Sequence, residues 1–208
     1  MKRLWRYTAV LFRFTLALFL LAVLSPAPDY PVNGTSSLSR VLQTLEGWPY
    51  LVISKSRQVL TLYKGMTPVR SYRAVFGGGV GDGDKQMSGD RRTPEGEFYI
   101  CSMNHSKRFY KFMGLSYPGL KHAGQGLRSG LISIQEYLNI DAAIREGRQP
   151  PWETRLGGAI GIHGRILNGP ALSLSPENWT DGCIALANED VDELFGVVSL
   201  GTPVVILQ

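Results

Sequence analysis

The sequence predicts a mainly β fold with a few helices, a mainly antiparallel sheet or sandwich, and three observations carry that prediction. Short runs rich in β-branched and aromatic residues recur: LVIS from Leu51, VLTLY from Val59, VRSYRAVF from Val69 and EFYICSM from Glu97. Turn chemistry separates them, with Lys64-Gly65 and Thr67-Pro68 between the second and third runs. Beyond the linker, helical spacing marks two stretches, Ser133 to Gly147 and Asn188 to Gly196.

In chain order the reading begins with an export signal over residues 1–27. Lys2, Arg3, Arg6 and Arg13 make a positive start, residues 14–24 are apolar apart from Thr15, and SPAPDYP then ends any helix. This is a signal peptide or a signal anchor, the apolar run being short for a span of about 20 residues. Either outcome places the body in the periplasm or cell envelope, with an N-terminal anchor as its sole contact with the membrane. Residues 28–47 read as a linker with a short helical stretch over 39–46, and 48–208 as the folded domain. Within it a long loop opens with Gly77-Gly78-Gly79 and ends at Thr93-Pro94-Glu95-Gly96. Residues 104–131 read as irregular. Their aromatics Phe109, Tyr110, Phe112 and Tyr117, with His122 and the later Trp152, make a candidate lid, or equally core filling. The helix from Ser133 presents Ile134, Leu138, Ile140 and Ile144. Residues 159–163 and 202–207 are strands, and Asn188 is the expected N-cap of the last helix.

Composition narrows the function classes. The 208 residues are 44% hydrophobic and 19% charged, a globular mixture. The formal charge of +5 comes largely from the first 27 residues, so the domain is nearly neutral and a nucleic-acid reader is disfavoured. Two Cys cannot build a disulfide framework, and the three His lack metal-ligand spacing. The glycine-rich loop has no Walker motif, since Lys85 follows Asp84, and Asp82 with Asp84 misses the spacing of a Ca²⁺ loop. A flexible loop over or beside a site is the expectation. His105 and His122 read as exposed or lid residues, and Cys101 as a core residue in mid-strand. The Asn-x-Ser/Thr triplets at 33, 104 and 178 carry no argument.

Chemistry concentrates in AIGIHGRILNGPALSLSPENWTDGCIALANEDVDELF. His163-Gly164 closes an apolar strand, and Thr180-Asp181-Gly182-Cys183 follows after fifteen residues. A lone Cys is commonly a small buried apolar residue. Here polar residues and a glycine precede Cys183 at a turn, which faces its sulfur to a cleft. The thiolate is the nucleophile, and an imidazole can take the thiol proton and later protonate a leaving amine. The N–H groups of Gly182 and Cys183 are the candidate oxyanion hole. The carbonyl of Gly164 is the candidate orienter of His163.

These motifs resemble the YkuD-type L,D-transpeptidase family. His163-Gly164 followed by Thr180-Asp181-Gly182-Cys183 resembles its catalytic signature. Arg92-Thr93-Pro94-Glu95-Gly96-Glu97-Phe98 resembles its strand entry, Lys55-Ser56 with Leu60-Thr61-Leu62-Tyr63 its first hairpin, and Gly161-Ile162-His163-Gly164 its G-I-H-G. The resemblance implies a YkuD-like β-sandwich with a helix beside the sheets and a lid segment. It implies Cys183 as nucleophile and His163 as general base and acid, with Gly164 orienting and Gly182 and Cys183 as oxyanion donors. Thr180, Asp181 and Arg165 are implied around the substrate. The implied substrates are peptidoglycan stem peptides that lose a terminal D-alanine. The acyl group passes to an amine of a second stem peptide or of a wall-attached protein, without metal or organic cofactor, on a monomeric enzyme. Two residues depart from the commoner pattern: Asp181 stands where His is usual, and Ala185 where Arg is usual. An inward carboxylate at 181 would raise the thiol pKa, and the missing Arg moves recognition of the substrate carboxylate to Arg165 or a basic residue of the lid. The competing readings are a hydrolase on the same scaffold, with water as acceptor, and a non-catalytic wall-binding module. A Cys101–Cys183 disulfide would silence the nucleophile.

Overall fold

The computed structural model describes residues 47–79, 83–165 and 178–208. The export signal, nearly all of the linker, and Asp82 lie outside the described residues. Pro49–Gln208 form one compact unit. Its strands are β1 (Pro49–Ser54), β2 (Val59–Lys64), β3 (Thr67–Arg73), β4 (Gly96–Asn104), β5 (Phe112–Leu115), β6 (Gly161–His163), β7 (Ile184–Ala185) and β8 (Pro203–Leu207). Its helices are α1 (Leu120–Arg128), α2 (Ile134–Arg145) and α3 (Asn188–Val197).

The strands join in one curled sheet of order β3-β2-β1-β8-β4-β5-β6-β7. The β1–β8 and β6–β7 pairs are parallel and the others antiparallel, so the sheet is mixed. Strand β4 belongs to both halves. Its first residues, Gly96 to Tyr99, pair with β8, and Ile100 to Asn104 pair with β5, with a register shift between Ile100 and Ser102. β4 thereby joins the β3-β2-β1-β8 half of the sheet to the β5-β6-β7 half. The ends also meet. Val75, just past β3, exchanges hydrogen bonds of 3.1 and 2.9 Å with Ala185 of β7.

Alternation places the core. Leu51 and Ile53, Leu60 and Leu62, Phe98 and Ile100, Met113 and Leu115, and Val204 and Ile206 point inward from five strands, and Val191 and Leu194 of α3 pack on the same cluster. Burial of each such side chain contributes about 1.5–3 kcal/mol. A second cluster joins Ala123 of α1, Ile140 and Ile144 of α2, Ile132 and Leu156.

Four local expectations are corrected. Residues 104–131 are not irregular: they contain β5 and α1. His122 belongs to the interior, neither exposed nor on a lid, and for Tyr117 the core-filling alternative holds: its ring is fully buried and its hydroxyl donates to the Leu156 carbonyl at 3.0 Å. Helix α2 starts at a full capping box, Ser133 with Glu136, but Ile134 and Leu138 are 68% and 51% exposed. Its buried face is Ile140, Ala143 and Ile144, because α1 packs on its later turns. The N-cap of α3 is Ala187, not Asn188; the Asn188 carboxamide oxygen instead accepts the N–H of Arg165 at 2.8 Å. Among the described residues no helix is long and apolar enough to cross a membrane.

Candidate active site

Strands β6 and β7 put the two candidate residues on neighbouring strands. In their parallel register Ile162 faces Ile184 and His163 faces Ala185. Cys183 stands one residue before β7. It therefore sits at the end of the strand that pairs with the His163 strand, two positions from Ala185.

The turn that carries Cys183 is held from three directions. Thr180 N–H donates to the Phe76 carbonyl at 3.0 Å and Gly78 N–H to the Thr180 carbonyl at 2.9 Å. Gly77 N–H donates to Thr93 Oγ1 at 2.9 Å. Thr180 Oγ1 donates to the Cys183 carbonyl at 2.7 Å and accepts Gly182 N–H at 3.2 Å. Thr180 therefore does not line a substrate cleft. It is buried, and its hydroxyl bridges the turn. Gly182 N–H is directed at that hydroxyl. The described part of the glycine-rich loop is not loose either: Gly79 N–H donates to the Arg91 carbonyl at 3.0 Å.

Gly182 has φ +122°, and a Cβ there would lie 2.6 Å from the Arg92 carbonyl oxygen. Both facts require glycine. Gly182→Ala is expected to lose about 2 kcal/mol or more of stability from backbone strain and displacement of the turn. Thermal unfolding measures this, and an unchanged melting temperature would contradict it.

The imidazole has a defined tautomer. His163 is buried, and its Nδ1 lies 2.7 Å from the Gly164 carbonyl oxygen. A carbonyl only accepts, so Nδ1 carries the proton and Nε2 keeps the lone pair. The Phe109 ring stacks on the imidazole at 4.1 Å, Trp179 meets it edge-on at 6.1 Å, and Phe112 lies 6.5 Å away. Burial in this aromatic setting lowers the His163 pKa to about 4, against the opposing hydrogen bond to Gly164, and Arg108 lowers it further. The Cys183 thiol is half-buried and donates to the Ala159 carbonyl at 3.5 Å. Burial pushes its pKa up to about 11; Asp181 adds to the rise, while a Gly161 backbone hydrogen bond, Lys85 and Arg108 oppose it. Thiol and imidazole are thus both neutral at pH 7, not a preformed ion pair. Both cysteines are free, so Cys101 and Cys183 are not joined.

Asp181 points outward. It is 79% exposed and pairs with Arg91 Nε at 3.2 Å. Its effect on the sulfur is through space. Asp181→Asn is expected to lower the thiol pKa by less than about one unit, because the carboxylate is solvent-screened. The pH dependence of iodoacetamide alkylation reads this, and a shift to higher pH would contradict it. Arg165 is exposed beside Gly164, anchored through its N–H on Asn188. Ala185 is fully buried and exchanges backbone hydrogen bonds with Val75.

His122 is not an exposed histidine. It is 2% exposed, and its Nε2 lies 3.0 Å from Asp84. Asp84 also pairs with Lys121 at 2.6 Å and accepts Glu95 N–H at 2.7 Å, so this cluster ties the loop before β4 to α1. Lys85 is buried on Asp90 at 2.6 Å. No group of His, Cys, Asp and Glu among the described residues could hold a metal. Sequence reasoning missed Trp179, Arg108 and Asn188, and Asn178, whose oxygen accepts Phe76 N–H at 2.9 Å. Only Trp179, next to Thr180, carried a local signal.

Residues 49–206 match the YkuD family model, described as the L,D-transpeptidase catalytic domain. Among solved structures, a mutant of the helical cell shape determining protein Pgp2 from Campylobacter jejuni matches with TM-score 0.55 and 22% identity, over 77% of this chain and 47% of that one. A second Pgp2 structure from Campylobacter jejuni matches with TM-score 0.52 and 19% identity, over 81% and 54%. An L,D-transpeptidase from Xylanimonas cellulosilytica matches with TM-score 0.47 and 14% identity, over 85% and 64%. The chain spans less than two thirds of the length of each. No curated protein sequence matches. The two Pgp2 likenesses are likenesses of fold.

Proposed function

The chain belongs to the L,D-transpeptidase catalytic domain family, and on that premise we propose that it is an exported cysteine acyltransferase acting on peptidoglycan stem peptides. The observation that supports the reading is the Nδ1–Gly164 hydrogen bond of 2.7 Å, which leaves the imidazole lone pair on Nε2, as a general base needs. Nε2 takes the thiol proton as sulfur attacks the carbonyl carbon of the diamino acid at stem position three. The oxyanion is met by the Cys183 N–H, with the Gly182 N–H shared between it and Thr180. The imidazolium then protonates the departing nitrogen, the C–N bond breaks, and D-alanine leaves a thioester on Cys183. An amine of a second stem peptide or of a wall-attached protein attacks the thioester. His163 takes its proton and returns one to the sulfur.

The neutral resting pair fits this sequence, since the proton moves only as the carbonyl is attacked. Residues 1–27 serve as signal peptide or anchor, residues 28–47 as the tether, and the domain works in the periplasm. Remodelling of the wall would connect the activity to cell organisation and shape. Intact mass after incubation with tetrapeptide-bearing muropeptides tests the reading. The expected product is an adduct on Cys183 with release of one D-alanine; unmodified protein and unchanged muropeptides would overturn it. Adding an amine acceptor separates transfer from hydrolysis.

A further inference from the structure

The reaction proposed above expels an amino acid that bears its own carboxylate, so the cleft needs a cation beyond the scissile bond. We propose that Arg108 binds the terminal carboxylate of the stem peptide and thereby restricts the enzyme to donors with a free C-terminus; this rests on the acyltransferase reading.

Arg108 lies between β4 and β5 on a short arm folded onto the imidazole. Its guanidinium carbon is 4.9 Å from the Phe109 ring centroid, and that ring stacks on His163 at 4.1 Å. At most one aromatic ring therefore separates the cation from the base. The arm is fixed locally: the N–H groups of Arg108 and Phe109 both donate to Ser106 Oγ, at 3.1 and 2.9 Å. The cation is exposed and has no carboxylate within ion-pair distance among the described residues.

Three other cations are already committed. Lys85 is buried on Asp90, Arg91 pairs with Asp181, and Lys111 pairs with Asp192 at 2.5 Å. Arg165 is exposed, but its charge is not among those acting on the reacting groups, whereas the charge of Arg108 acts on both His163 and Cys183. A planar guanidinium also presents paired donors to a carboxylate, which an ammonium does not. Resting on Phe109, the Arg108 fork can take the leaving amino acid's carboxylate while Nε2 protonates its nitrogen.

The test compares a tetrapeptide muropeptide with the same compound ending in a carboxamide. The wild-type protein is expected to prefer the free acid. Arg108→Gln is expected to raise KM for the acid about 10- to 100-fold and to erase the preference, the scale of one lost charge-assisted bond. Turnover of the carboxamide should fall far less than that of the acid, Arg108→Lys should recover part of the preference, and the alkylation rate of Cys183 should hold within about threefold. If Arg108→Gln keeps the preference, or slows both substrates equally, the assignment of Arg108 fails and the acyltransferase reading stands. If the wild-type protein turns over neither compound, both readings fall.

Discussion

Cys183→Ala is expected to abolish D-alanine release and the covalent adduct while leaving the melting temperature nearly unchanged. The sulfur donates weakly to the Ala159 carbonyl at 3.5 Å and is half-buried, so its removal takes little from the packing. The turn that presents it is held by Thr180 and Gly182, which the substitution leaves in place. Chemistry and stability therefore separate in this variant. Release measured by chromatography of the muropeptides, with unfolding followed in parallel, checks it. Persistent release would remove Cys183 as the nucleophile; a large drop in melting temperature would mean that the cysteine is structural.

His163→Asn is expected to lower the rate of acylation by about 10²- to 10⁴-fold, the usual contribution of a positioned general base. The Asn carboxamide nitrogen takes the place of Nδ1 and can still donate to the Gly164 carbonyl, but nothing replaces Nε2. A second readout follows from burial. Folding lowers the imidazole pKa from 6.5 to about 4, so the unfolded chain binds the proton more readily between those values. Stability is then complete above about pH 6.5 and falls as the solution is acidified toward 4, by up to roughly 3 kcal/mol. The Asn variant should lose this part of the pH dependence. Activity of the wild-type protein should likewise fall on acidification through the His163 pKa, since only neutral Nε2 accepts the thiol proton. Equal acylation rates for the two proteins, or parallel stability curves through this range, would contradict the assignment.

The strands were largely legible because their burial is periodic along the chain: Leu51 and Ile53, or Leu60 and Leu62, declare an inward face without reference to anything distant. Helix α1 was not legible. LKHAGQGLR carries two glycines that weaken any local helical preference. A Cβ on Gly126 would lie 3.0 Å from Leu156, so glycine allows the close approach that docks the helix. The face of α2 was misread for a related reason. Ile134 and Leu138 have helical spacing, yet no neighbour covers them, and which apolar stripe is buried depends on where α1 lies. His122 reads as a polar surface residue until Asp84, thirty-eight positions away, is placed against it.

The sequence by itself determined the family resemblance, the candidate residues His163 and Cys183 and most of the strands around them, because residue type and short-range alternation are properties of the local chain. Only the tertiary structure decided that the thiol and the imidazole rest neutral, that Thr180 braces the turn, that Asp181 faces solvent on Arg91, and that Arg108 rests above the base through Phe109. Protonation and orientation depend on desolvation and on charges summed over residues far apart in the chain, and those sums exist only once the sheet has curled and brought them together.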